Sequence, residues 1–101
     1  MIAYESIGRV DVLKVDVEGF ERAVFQGAEQ LLTGEDAPVI LFEFCDWAEA
    51  RMPGGEVGDA QRVLRNYGYE LQRLSEFVRG RRKPLKDVIV KGSEMLVAVR
   101  L

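Results

Sequence analysis

Apolar residues recur along the chain in two rhythms, and the switches between them mark its elements. Residues 10–17 carry five apolar positions, four of them valine. Leu13, Val15 and Val17 share one side with Asp11, and Val10 and Val12 share the other with Lys14 and Asp16. A strand that is apolar on both faces predicts a parallel sheet covered by helices on each side. Gly19 breaks the run, and from Phe20 the apolar positions become 20, 23, 24, 28, 31 and 32, the stripe of one helical face. Thr33-Gly34 closes that helix, with Gly34 placed as the C′ residue. Gly27 falls on its inward side and is expected to allow close approach to the sheet, since an interior helix glycine otherwise costs about 1 kcal/mol. Pro38 then introduces Val39-Ile40-Leu41-Phe42-Glu43-Phe44, the most continuous apolar run, which reads as a buried parallel strand. Strand, helix and strand in that order predict a right-handed βαβ unit.

Residues 45–56 read as a loop or short helix ended by Pro53-Gly54-Gly55. Asp59 is placed to cap a helix over about 59–67, closed by Gly68. Residues 69–74 alternate as a third strand, and residues 79–84 form a basic loop. Val88-Ile89-Val90 is a short strand or turn, and residues 94–100 are the final strand. Residues 1–8, short and mixed, read as a lead-in. The predicted order is β-α-β-α-β-β. No repeat or linker divides it, so 1–101 is expected to be a single unit of α/β class.

Composition narrows the chemistry. A net charge of −3 supplies no global basic field for nucleic acid. Histidine is absent, which excludes Ser-His-Asp and Cys-His catalysis and any His-ligated metal within the chain. The single cysteine, Cys45, leaves no intramolecular disulfide and no zinc cluster. No apolar run nears the roughly 20 residues a membrane helix needs, and the first residues lack a secretory pattern. The expected setting is therefore cytoplasmic, with neither nucleic-acid nor membrane partner.

Acid–base work falls to the carboxylates. Asp16, Glu18 and Glu21 arrive within six positions where a parallel strand ends and its helix begins. Glu43, with Asp46, falls at the end of the next strand and so on the same rim, where open α/β sheets bind ligands. Asp16, Glu18 and Glu43 are the candidate catalytic groups, one of them expected to serve as general base. Glu21 and Trp47 are candidate substrate contacts. The same carboxylates could hold a divalent cation through oxygen. Against this, Glu18 and Glu21 suit the positive end of a helix, and Asp16 suits a turn that it hydrogen-bonds itself. Lys14 reads as a strand residue paired with a carboxylate, Cys45 as a small packed hydrophobe and Trp47 as a core edge. The basic run at 79–83 reads as a solvated loop, or as a contact for phosphate or an acidic partner.

Three ordered motifs carry a resemblance. LKVDVEGFE, QGAEQLL and PVILFEF resemble the FkbM family of S-adenosylmethionine-dependent methyltransferases. Lys14, Asp16, Glu18, Gly19 and Glu21 match its K-[IV]-D-[VI]-E-G-x-E motif. Gly27, Ala28, Leu31 and Leu32 match a G-A-x-x-L-L helix, and Pro38, Ile40, Phe42 and Glu43 a P-x-[IL]-x-F-E strand. Gly68-Tyr69 and Leu96-Val97-Ala98-Val99 look like the family's last two strands, so the likeness spans about 9–101. It implies the C-terminal half of a Rossmann-like class I methyltransferase sheet, the last strand antiparallel and the first three strands absent. It implies methyl transfer to an oxygen of a small-molecule acceptor, such as a sugar or polyketide. The donor S-adenosylmethionine is implied too, but the glycine-rich loop that mainly binds it has no counterpart among these residues, so the chain is expected to be inactive alone. The strand at 10–17 would then be an open edge, inviting a homodimer. The rival readings are a non-catalytic self-associating module and an acidic-rim binder of a metal or small ligand.

Overall fold

The computed structural model describes residues 2–7 and 10–100, with side chains from 11 to 100. Strands run at Ile2–Ile7 (β1), Val10–Val15 (β2), Val39–Cys45 (β3), Tyr69–Arg73 (β4) and Ser93–Arg100 (β5). Helices run at Glu21–Gly27 (α1), Glu29–Thr33 (α2), Asp46–Ala50 (α3), Asp59–Asn66 (α4) and Leu74–Phe77 (α5). The strands make one mixed sheet in the order β1-β2-β3-β5-β4. β2 and β3 are parallel, from Val12↔Val39 to Val15↔Phe42, and joined through α1 and α2. The last strand, β5, lies antiparallel between β3 and β4.

Alternation along the strands builds the core. Leu13, Val15, Ile40, Phe42, Phe44, Tyr69, Leu71, Leu96 and Ala98 all point to one face and are buried. Phe25 and Leu32 of α1 and α2, and Ala60 and Leu64 of α4, cover that face. Phe25 meets the Phe42 ring edge-on at 5.3 Å between centroids, fixing α1 over the middle of β3. Tyr69 buries its ring and donates its hydroxyl to the Pro38 carbonyl at 2.8 Å. Burial pushes its pKa up to about 12.

Several expectations need correction. Residues 2–7 form a strand rather than a lead-in. β1 pairs antiparallel with β2 along the whole of β2, from Ile2↔Val15 to Ile7↔Val10. The strand at 10–17 is therefore no open edge, because β1 takes up its outer backbone groups. Helices do not cover both faces alike. On the side away from the core Val12, Leu41, Met95 and Val99 are only half-buried, and valine suits a strand whichever face is covered. Gly27 is exposed with nothing within 4 Å of a Cβ placed there, so it serves no close approach; Ala28 beside it packs inward instead. Gly34 is extended (φ −80°) rather than left-handed. The α2 carbonyl end is closed by Arg100, whose Nη1 donates to Gly34 O at 2.7 Å and Leu32 O at 3.4 Å. Val88-Ile89-Val90 forms no strand, since buried Gln61 takes both backbone groups of Ile89 at 2.8 and 2.9 Å.

Candidate functional site

The end of β2 turns sharply into α1. The Phe20 amide donates to the Val17 carbonyl at 3.3 Å, and the two residues between, Glu18 and Gly19, have φ of 40° and 97°. Positive φ at both central positions is the pattern of a type I′ turn, which normally takes glycine or asparagine. Among the described residues Glu18 is the only non-glycine residue with positive φ. Gly19 cannot be replaced without a shift, because a Cβ there would lie 2.7 Å from the Ala48 carbonyl oxygen of α3. The turn is thus clamped between two elements, and it holds the Glu18 carboxylate out into solvent.

Two clefts meet at that carboxylate. One, of about 220 Å³, is lined by Lys14, Val15, Asp16, Glu18, Glu43 and Met95. All three candidate catalytic residues and Lys14 line it, at the C-terminal ends of two parallel strands. The second, of about 300 Å³, is lined by Glu18, Trp47, Ala48, Arg51 and Met52. Trp47 is 58% exposed rather than a core edge, and the Arg51 guanidinium lies 5.7 Å from its ring centroid. Asp46 is spent on structure. Its carboxylate accepts from the Trp47 and Gly92 amides at 2.6 and 2.9 Å, tying α3 to the start of β5.

Glu21 lies beneath the turn, not in either cleft. It is buried, and its oxygens accept from the Gly19 amide at 3.0 and 3.3 Å and the Val17 amide at 3.3 Å. A second acid, Glu49 of α3, is buried nearby and accepts from the Gly58 amide at 2.9 Å. Its Oε2 is buried without a hydrogen-bond partner among the described residues. Burial pushes the pKa of both acids up, against the backbone hydrogen bonds; the Asp16 charge adds to the effect on Glu21, and the Glu21 charge to that on Glu49. Asp59 goes the other way. The Glu56 amide holds its pKa down, helped by Arg62 and Arg22 at 2.8 and 3.1 Å.

Asp16, Glu18 and Glu43, the candidates from the sequence, all line the first cleft. Sequence reasoning missed Arg51, four residues after Trp47 and hence on the same helical side, a spacing that could have revealed it. It missed Glu49 as well, which carries no local signal because its partner amide lies nine residues away. Among the described residues no group of three His, Cys, Asp or Glu could hold a metal ion, which removes support from the metal-binding reading. No helix among them is long and apolar enough to cross a membrane.

The chain is a small α/β protein whose mixed sheet carries an acidic cleft at the ends of adjacent parallel strands. The family model described as the methyltransferase FkbM domain matches residues 1–71, and the chain belongs to that family. The match takes in β1 through most of β4, including the cleft carboxylates, and stops short of β5. No curated protein and no solved structure matches the chain.

Proposed function

We propose that the chain is the acceptor side of an S-adenosylmethionine-dependent O-methyltransferase. Asp16, Glu18 and Glu43 bind a hydroxyl of a small-molecule acceptor and take its proton as the oxygen becomes nucleophilic. The observation that carries this reading is the convergence of these three carboxylates on one cleft beside an exposed indole. Glu18 lines both clefts, so it can accept a hydrogen bond from the hydroxyl while the acceptor body rests against Trp47. Glu21 is a positioning residue: its oxygens are occupied by the Val17 and Gly19 amides, and it acts through the turn that presents Glu18. The strand order β2-β3-β5-β4, with only β5 reversed, supports a C-terminal half of a class I sheet.

The described residues do not suit the whole methyl donor. In the turn after β2 the Val17, Gly19 and Phe20 amides already donate elsewhere, which leaves at most the Glu18 amide for the donor's carboxylate. The acidic cleft offers only Val15 and Met95 as apolar surface for adenine. We propose that these residues do not transfer methyl groups unaided.

Two titrations test the reading. A methyl hexoside and a simple secondary alcohol, added to the isotope-labelled chain, should shift the Glu18 and Gly19 amides and the Trp47 indole N–H. Glu18→Gln should weaken that response about tenfold, the worth of a charge-assisted hydrogen bond. Acceptor shifts that avoid this corner would sink the acceptor assignment. Calorimetry with S-adenosylmethionine should give no saturable heat, and tight donor binding would overturn the division into halves.

A further inference from the structure

A cavity beside β4 shares no residue with the acidic rim. It has a volume of about 380 Å³ and is lined by β4 (Glu70, Leu71, Gln72), α5 (Phe77), the loop at Gly80, Arg81 and Arg82, and Val99 of β5. That volume is within the range of small-molecule pockets, which are mostly apolar with a few placed polar groups.

Its walls are anchored. Arg82 holds Glu70 through one nitrogen at 2.9 and 3.2 Å. The Lys83 amide donates to the Gln72 side chain at 3.1 Å, and the Leu85 amide to the Leu71 carbonyl at 2.7 Å. Three successive ties pin the loop along β4, so the space is a preformed slot. Phe77, 43% exposed, puts apolar surface in its wall, and α5 contributes nothing fully buried to the core. α5 is therefore a wall with an unfilled apolar side.

The charge around the slot is unbalanced. Arg79, Arg81, Arg82 and Lys83 face only Glu70 and Glu76 as ion-pair partners among the described residues. The Arg81–Glu76 contact is loose at 3.6 Å, and Glu76 Oε2 is buried without a hydrogen bond. An incoming carboxylate would meet a guanidinium held by a weak contact, not by a closed bidentate pair.

We propose that this slot binds a small amphipathic carboxylic acid, its aliphatic body against Phe77 and Val99 and its carboxylate on Arg81. The site is independent of the acceptor cleft. Decanoate, kept below its micellar concentration, is the probe, with decanol and acetate as body-only and head-only controls. Decanoate should bind saturably and shift the amides of Phe77, Gly80 and Val99, while acetate should not. Decanol should bind about tenfold more weakly, as should decanoate to the variant Arg81→Gln, which leaves the Arg82–Glu70 tie of the wall in place. Raising salt should narrow both gaps. Phe77→Asp, at a position that is already part-exposed, should abolish binding without changing the melting temperature, and Glu18→Gln should leave decanoate binding intact. Equal affinity for decanol would overturn the anion assignment. Shifts elsewhere, or no saturable binding, would overturn the site.

Discussion

At Glu18 the backbone is held at φ 40°, a conformation that costs a side-chain-bearing residue on the order of 1–3 kcal/mol. Such strain persists only where the surroundings over-determine it. Here they do: the Glu21 carboxylate grips the amides on either side of Glu18, and Gly19 is wedged against Ala48. Glycine at 18 would relieve the strain and lose the carboxylate. Glu18→Gly is therefore expected to raise stability in urea by about 1 kcal/mol, after the entropy cost of the new glycine, while abolishing the acceptor response. A loss of stability would mean that Glu18 holds the turn together rather than being held by it. Gly19→Ala should do the reverse. Its Cβ would sit 2.7 Å from a backbone oxygen at a φ of 97°, and a loss of about 2–4 kcal/mol is expected by the same measurement.

Between α1 and α3, two buried acids make stability depend on pH. Both Glu21 and Glu49 have folded-state pKa values above the ordinary 4.5, chiefly through burial. An acid whose pKa is raised by folding binds more protons folded than unfolded. Its contribution is thus fully present below about 4.5 and lost as pH rises through the folded value. Asp59, with a lowered pKa, contributes above its ordinary 3.8 and loses that only in stronger acid. Denaturation midpoints should consequently fall as pH climbs from 4.5, and Glu49→Gln should flatten the fall while keeping an acceptor for the Gly58 amide. An unchanged slope would remove Glu49 as its source. None of this was legible in the sequence, where a glutamate in a helix reads as solvated and burial is decided by amides from other loops. β3, α4 and β5 were legible, because Val39–Phe44, 59–67 and 94–100 carry their own periodicity. β1 was not, since Ile2–Ile7 becomes a strand through pairing with β2. Asp16, Glu18 and Glu43 line one cleft because β2 and β3 are parallel and each ends in acid, whereas Glu21 is buried under the turn, and sequence proximity does not tell whether a side chain points over a turn or under it.

Across the whole molecule, the sheet has one face packed by α1, α2 and α4, and its β4 edge is covered by an irregular segment. That segment turns the basic residues at 79–83 from a merely solvated loop into an edge guard, because the backbone groups of β4 would otherwise offer a template for another chain. Leu85 is the anchor that matters most, with its amide 2.7 Å from the Leu71 carbonyl and its side chain packed on the core. The two contributions separate by mutation. Leu85→Ala keeps the amide and loses packing, so it should lower stability without changing association. Leu85→Pro deletes the donor and frees the Leu71 carbonyl, costing about 1 kcal/mol more. It should also show concentration-dependent sedimentation beyond that of the parent chain, and weaker decanoate binding as the slot wall lifts from β4. Sedimentation identical to that of Leu85→Ala would mean that the segment guards nothing, and that the edge is protected by the short, charged strand alone.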